Sequence, residues 1–184
     1  MPGEDRSPLE RYASLLERVD REFAEIQTRN QGRMQCRSGC SDCCRARLSV
    51  AHVEEAFMSR RLASLPDELR RDLAEAAETP GREMCPALDD EGRCRIYEHR
   101  PLICRSFGVP LRHRRPLALI QPPVIDVCDK NFVGESLKVV SEVDVIDQTD
   151  LVQELTEIDR DYCKQKKLSD VVRIPIAAIL ARLQ

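Results

Sequence analysis

Four cysteines lie within a short, turn-rich segment of the chain, at Cys36, Cys40, Cys43 and Cys44. The pairs Ser38-Gly39 and Ser41-Asp42 favour tight turns, which allow neighbouring sulfurs to converge on one point. Thiolates without a nearby histidine are soft ligands, so the segment predicts a zinc ion or an iron–sulfur cluster. A disulfide or redox loop is the alternative for Cys40-x-x-Cys43, but the sequence lacks the βαβ pattern expected around such a motif. We therefore interpret the segment as a metal-binding loop.

A second group of cysteines follows further along the chain, at Cys85, Cys94 and Cys104. The full pattern reads C-x3-C-x2-C-C, then C-P-x-L, then G-x-C-x-I-Y-x-x-R-P-x-x-C-R-x-F. It resembles the bacterial cysteine-cluster family described as a zinc- or iron-chelating domain, from residue 36 to about residue 128. The resemblance implies a further cysteine after this block, and Cys128 occupies such a position. One departure is the first spacing, which is often C-x2-C in the family and is C-x3-C here.

The motifs and the resemblance together give eight candidate metal ligands: Cys36, Cys40, Cys43, Cys44, Cys85, Cys94, Cys104 and Cys128. Two all-cysteine, four-coordinate sites need eight thiolates, whereas one zinc ion or one cubane needs four. The spacing of the first three is also the one with which radical S-adenosylmethionine enzymes hold a [4Fe-4S] cluster, although this chain is too short for the barrel of those enzymes. The adjacency of Cys43 and Cys44 favours a polynuclear cluster, and Zn²⁺ is the alternative.

Seven arginines lie on the cysteine segments, where they can offset the negative charge of four thiolates on a metal or donate hydrogen bonds to sulfur. They are Arg33, Arg37, Arg45, Arg93, Arg95, Arg100 and Arg105, and we expect at least half of them to be merely solvated. A different interpretation groups Arg105 with 112–115 as an anion or nucleic-acid patch. The net charge of −3 argues against nucleic acid as a partner.

The composition predicts one domain over residues 1–184, with a cysteine-cluster block at 33–130, an N-terminal helix at 8–31 and a helical extension at 149–184. Apolar residues make up 42 % of the chain, with no Trp, four Phe and three Tyr. A core so poor in aromatic residues would gain from a metal that joins distant segments. Nine cysteines without a secretory signal at the N-terminus predict a reducing cytoplasm, and no apolar run approaches the ~20 residues of a membrane span.

The periodicity predicts a mainly α fold with a small irregular or β portion, in which helices pack around a cysteine-ligated metal centre. Ser7 caps the first helix, which covers that centre, and 50–65 and 66–77 form a helical hairpin between the two cysteine groups. Residues 85–97 predict a short hairpin, and Pro101 starts a short turn or helix. Short strands are predicted at 117–120, 124–125 and 143–146. Thr149 is predicted to cap a helix that contains Cys163 as a packed, non-ligating residue, and Ile174 opens a last short helix.

These features predict a small cytosolic metal-binding protein. A cluster-dependent enzyme of protein modification is an alternative, because the flagellin lysine methylase resembles this family in its cysteine pattern. The sequence has no glycine-rich nucleotide loop and no Ser/His/Asp or Cys/His constellation, which argues against catalysis of those kinds. A further alternative is an accessory module that delivers metal or docks on a partner, although no protein partner is identified by the sequence.

Overall fold

The computed structural model describes residues 6–114 and 123–183. The fold is 51 % helix and 8 % strand, which confirms the mainly α prediction. The helices are α1 Pro8–Arg29, α2 His52–Leu62, α3 Asp67–Glu78, α4 Leu102–Ser106, α5 Gln148–Lys166 and α6 Ile176–Leu180. The strands are β1 Ser49–Val50, β2 Leu111–His113, β3 Val124–Asp126, β4 Ile146–Asp147 and β5 Ile174–Pro175. None of these helices has the length and hydrophobicity that crossing a bilayer requires.

Helix α1 begins with the predicted capping box. The Ser7 amide donates to Glu10 Oε2 at 2.8 Å, and the Glu10 amide donates to Ser7 Oγ at 3.4 Å. The helix ends at Arg29, two residues before the predicted end, because Asn30 leaves the helical conformation. Its apolar face packs against α5 in a first core, which is built on Tyr12, Leu15, Leu16, Val19, Leu151, Leu155 and Ile158.

A second core lies between α2, α3 and α6. It contains Val50, Met58, Leu62, Leu73, Ile96, Ile176, Ile179 and Leu180. Helix α2 belongs to both cores, because Val53 packs in the first core while Met58 and Leu62 pack in the second. The predicted helical hairpin is therefore present as α2 and α3, and the predicted last helix is present as α6. Helix α2 joins the two cores.

The strands form two small sheets. Strands β1 and β5 pair antiparallel, with Ser49 opposite Pro175. The second sheet has the order β3-β2-β4, in which β2 pairs antiparallel with β3 and parallel with β4. The predicted strand at 124–125 is thus confirmed as β3, while the predicted strand at 117–120 lies outside the described residues.

Two predictions in the C-terminal half are wrong in detail. The predicted strand at 143–146 is mostly a 3₁₀ turn, Glu142–Asp144, because Arg29 Nε holds the buried Asp144 carboxylate against α1 at 2.7 Å. Only Ile146 and the residue after it pair with β2. Helix α5 is capped by Asp147 rather than by Thr149, since Asp147 Oδ1 accepts from the Thr149 amide at 2.9 Å.

Candidate metal centre

The first cysteine loop follows α1 as two consecutive turns. The Cys40 amide donates to the Arg37 carbonyl at 3.0 Å, with Gly39 at a positive φ of 84°. The next turn is the 3₁₀ segment Asp42–Arg45, which carries Cys43 and Cys44. Cys40, Cys43 and Cys44 therefore lie on two tight turns that follow each other directly, as the small and polar spacer residues predict.

The second cysteine group is joined to the first through backbone contacts. The Cys85 amide donates to the Cys44 carbonyl at 2.8 Å. Residues 88 and 94 form an isolated antiparallel bridge, which confirms a short hairpin in this segment. At its tip, a Cβ on Gly92 would lie 3.1 Å from the Gly39 carbonyl oxygen, so the hairpin rests directly on the first loop. Cys104 follows on α4, the short helix that was predicted after Pro101.

Cys128 is connected to Cys36 through Asn131, which is only 2 % exposed. The Asn131 amide nitrogen donates to Cys36 Sγ at 3.2 Å and to the Gly108 carbonyl at 2.6 Å. Its side-chain oxygen accepts from the Gln35 amide at 2.7 Å, and its backbone amide donates to the Cys128 carbonyl at 2.8 Å. One buried residue thus contacts two candidate ligands that are distant in sequence, Cys36 through its side chain and Cys128 through its backbone amide.

All eight candidate ligands line one cavity of about 1360 Å³. Phe23 and Gln27 of α1 contribute to its wall, in line with the prediction that this helix covers the cysteine centre. Cys163 does not line the cavity and is 2 % exposed within α5, as predicted for a packed residue. Within residues 6–114 and 123–183, no three cysteine, histidine or acidic side chains have the spacing to hold a single metal ion. The thiols share a cavity without meeting at one point.

Burial and neighbouring thiols set the acidity of these cysteines. The hydrogen bond with Cys44 is the main cause that lowers the pKa of Cys43 to about 6, and Arg100 lowers it further. The same hydrogen bond raises the pKa of Cys44 well above its ordinary value. Burial raises the pKa of Cys85 and Cys94, and it raises the pKa of Cys104 to about 12. A cation in the cavity would favour the thiolate form of these buried groups, so metal binding releases protons.

The arginines of the cysteine segments hydrogen-bond to oxygen rather than to sulfur. Arg100 Nη1 donates to the Cys104 carbonyl at 3.1 Å, and its guanidinium lies 3.5 Å from the centre of the Tyr97 ring. Arg105 is 8 % exposed, donates to the Arg100 carbonyl at 2.7 Å and pairs with Asp20 of α1. Oxygen acceptors also receive the hydrogen bonds of Arg33, Arg37, Arg93 and Arg95.

The alternative anion patch is not assembled by the described residues. Arg105 is buried against α1, whereas Arg112 forms an ion pair with Glu142 on another part of the surface. Residue 115 lies outside the described part of the chain.

Sequence reasoning missed two residues that shape the site, Asn131 and Gly108. Gly108 has a φ of 118°, and a Cβ at this position would lie only 2.7 Å from Cys36 Sγ. Gly108 belongs to the recognised motif region, but nothing in its neighbours indicates that a sulfur would come so close. Asn131 carries one weak signal, a polar residue three positions after a candidate ligand.

The arrangement of seven of these cysteines corresponds to a known pattern. Residues 35–117 match a family model named CxxCxxCC, whose description is "Putative zinc- or iron-chelating domain". The matched segment makes up a little less than half of the chain. The resemblance seen in the sequence is confirmed for this segment, and Cys128 lies beyond it. Comparisons with curated proteins and with solved structures find no match.

The donor set of the matched segment fits that description. Thiolates are the ligands that zinc and iron–sulfur clusters share, and the wall of the cavity supplies them from several segments. Gly108 leaves the space that Cys36 Sγ occupies, and Asn131 donates a hydrogen bond to that sulfur. Such a donor beside a ligand sulfur is typical of the surroundings of metal-bound thiolates. The match therefore suggests a zinc- or iron-chelating role for this segment.

Proposed function

We propose that this protein is a cytoplasmic metal-binding protein that holds a [4Fe-4S] iron–sulfur cluster through cysteine thiolates. The observation that carries the proposal is the single cavity lined by all eight candidate cysteines, including Cys128 from outside the matched segment. The nine cysteines are all free thiols, which supports a reducing compartment such as the cytoplasm. When bound, such a cluster supplies either structural cross-linking or electron transfer.

The choice of a cluster over Zn²⁺ rests on the first loop. Cys36, Cys40 and Cys43 have a spacing that suits a cubane, and Cys44 adds an adjacent thiol on the same 3₁₀ turn. Adjacent thiolates are accommodated more easily around polynuclear centres than around one tetrahedral ion. Burial raises the pKa values of the cysteines on the second core, and the nearby Arg82 and Arg100 oppose this shift in favour of the thiolate form that a ligand needs.

The proposed metal-binding domain extends over the whole chain. Helices α1 and α5 share the first core, against which Cys36 packs. Helix α6 belongs to the second core, against which Cys85, Cys94 and Cys104 pack. The N-terminal helix and the C-terminal extension therefore support the ligands on either side of the cavity.

Protein purified without oxygen tests the cluster directly. We expect a brown protein with iron and acid-labile sulfide in about equal amounts. The matched control is Cys163→Ala, which removes the cysteine outside the cavity and should have the same colour and iron content. A colourless protein that contains zinc would overturn the cluster and retain the metal site, whereas protein without zinc or iron would overturn both.

A cluster-dependent enzyme of protein modification is the second candidate, and the size of the cavity favours it. The volume of about 1360 Å³ exceeds the roughly 300–1,000 Å³ of typical small-molecule sites, so a substrate group would have room beside the metal. The test is to add cyanide to the reduced, metal-loaded protein and to record its electron paramagnetic resonance spectrum. A shifted spectrum indicates an open coordination position, while an unchanged spectrum contradicts this candidate.

A further inference from the structure

The eight cysteines approach the cavity from two different parts of the protein. Cys36 packs against the first core, which is formed mainly by α1 and α5. Cys85, Cys94 and Cys104 pack against the second core, between α2, α3 and α6. Because these cores are separate, the thiols that they support are held in two groups before any metal binds.

The group on the first core is organised by residues 128–131. Asn131 joins Cys36 to Cys128 through its side chain and its backbone amide. Lys130 Nζ lies 2.7 Å from the Asp42 carboxylate, which joins this segment to the first cysteine loop between Cys40 and Cys43.

The group on the second core includes one residue of the first loop, Cys44. Its carbonyl accepts the hydrogen bond from the Cys85 amide at 2.8 Å. Cys85, Cys94 and Cys104 all pack against the second core. The backbone contact therefore places Cys44 with this group.

Cys43 lies at the boundary between the groups. The second group already has four thiols without it, whereas the first group has three. In a 3₁₀ turn, consecutive side chains point about 120° apart, so Cys43 and Cys44 can serve different centres. Because Cys43 and Cys44 are adjacent in the chain, the two centres are neighbours within one cavity.

We infer that the domain contains two adjacent four-thiolate centres, one formed by Cys36, Cys40, Cys43 and Cys128 and the other by Cys44, Cys85, Cys94 and Cys104. This inference rests on the proposed metal-binding function and applies equally to zinc and to iron–sulfur clusters. Seven arginines line the same cavity and provide the positive charge that two anionic centres require: Arg37, Arg47, Arg82, Arg93, Arg95, Arg100 and Arg173.

Metal content and thiol alkylation of single variants test the division. Cys128→Ala should lose half of the metal and expose Cys36, Cys40 and Cys43 to iodoacetamide, while the other four stay protected in mass spectra of the digested protein. Cys104→Ala should lose the other half and expose the complementary set. Cys40→Ala and Cys94→Ala are second representatives of the two sets, for use where a first variant does not fold. Cys163→Ala is the control, with full metal content and unchanged protection.

Double variants test whether Cys43 and Cys44 belong to different centres. Cys43→Ala with Cys128→Ala should lose no more metal than either single variant, because both changes affect one centre. Cys44→Ala with Cys128→Ala should lose all of it. If all eight thiols share one centre, a single variant should remove all metal or expose every cysteine to alkylation. That result overturns the inference of two centres but leaves the proposed metal binding intact. Wild-type protein without zinc or iron would overturn the proposed function itself.

Discussion

At the scale of single residues, Cys36 shows how a candidate ligand is positioned by residues that are not ligands. Gln27 Nε2 donates to its carbonyl at 2.8 Å, Asn131 donates to its sulfur, and Gly108 leaves the space beside that sulfur. The cysteines themselves could be predicted from the sequence, because thiol spacing directly reflects coordination chemistry. Asn131 and Gly108 could not, because their roles arise only when residues 108 and 131 come together with the first loop.

Because residue 108 lies so close to Cys36, Gly108→Ala is predicted to weaken metal binding. A new Cβ would lie 2.7 Å from Cys36 Sγ, so the sulfur must move and metal affinity should fall by ~10–100-fold, the range of changes next to metal ligands. The measurement is competition with a chelator under reducing conditions. Gly134→Ala is the matched control, since Gly134 also has a positive φ, of 76°, but has nothing within 4 Å of the added Cβ. Equal affinities in the two variants would contradict the proposed role of Cys36.

In contrast to Gly108→Ala, replacement of Cys163 is predicted to leave metal binding unchanged. Cys163 is buried in α5, away from the cavity, and burial raises its pKa to about 11, which disfavours the thiolate. Cys163→Ala should retain all metal and lose about 1 kcal/mol of stability, as is typical of single substitutions. Metal analysis and urea unfolding of the loaded protein check both expectations. Any loss of metal would show that the set of eight ligands is wrong.

At the scale of elements, the long helices could be predicted and the short strands could not. Helix α1 follows from its capping box and from an apolar stripe over many turns, which are local features. Strand β4 has two residues and takes its conformation from its partner β2, so its sequence carries little information about its state. The cap of α5 was misplaced by two residues, because Asp147 and Thr149 are both acceptable N-cap residues and only the turn geometry distinguishes them.

Glu54 of α2 is 1 % exposed, and its hydrogen bonds predict a structural role. Its carboxylate accepts hydrogen bonds from the Ala51 amide at 2.9 Å, the Tyr12 hydroxyl at 3.0 Å and the Leu102 amide at 3.1 Å. It therefore joins α1 and α2 to the start of α4, the helix that carries Cys104. Glu54→Ala removes the acceptor of the buried Ala51 amide and Tyr12 hydroxyl, while the Leu102 amide still donates to the Tyr12 oxygen at 3.1 Å. We therefore expect a loss of at least ~2 kcal/mol in urea unfolding.

A matched control for Glu54→Ala is its neighbour, Glu55→Ala. Glu55 forms an ion pair with Arg182 at 3.4 Å in which the Arg182 side chain is 60 % exposed, and such pairs contribute about 0–1 kcal/mol. Glu54→Ala should also lose metal to a chelator faster than the control, since the support of Cys104 is weakened. Equal stability of the two variants would mean that the network does not join the helices in solution.

At the scale of the whole molecule, the two cores differ in how much regular secondary structure surrounds them. The first core is formed by the two longest helices, which have continuous apolar faces. On the side of the second core, residues 85–101 contain one isolated bridge and one 3₁₀ turn, Tyr97–His99, before α4 begins. Three of the candidate ligands lie in or directly after this irregular stretch. We therefore expect the chain there to depend on what the cysteines bind, as the low aromatic content of the sequence also predicts.

Removal of the metal should therefore unfold one side of the protein more than the other. Structural zinc can contribute about 10 kcal/mol or more to folding, and ligands from 36–44 and 85–104 would close the long loop that contains α2 and α3. In the metal-free protein, we expect the amides of residues 85–108 to lose protection from hydrogen exchange. Those of α1 and α5 should retain part of it, because their packing does not require the thiols. The measurement compares metal-loaded and chelator-treated protein under reducing conditions by mass spectrometry. Equal protection of 85–108 in both states would mean that the metal sits on a preformed fold, which favours delivery or catalysis over a structural role.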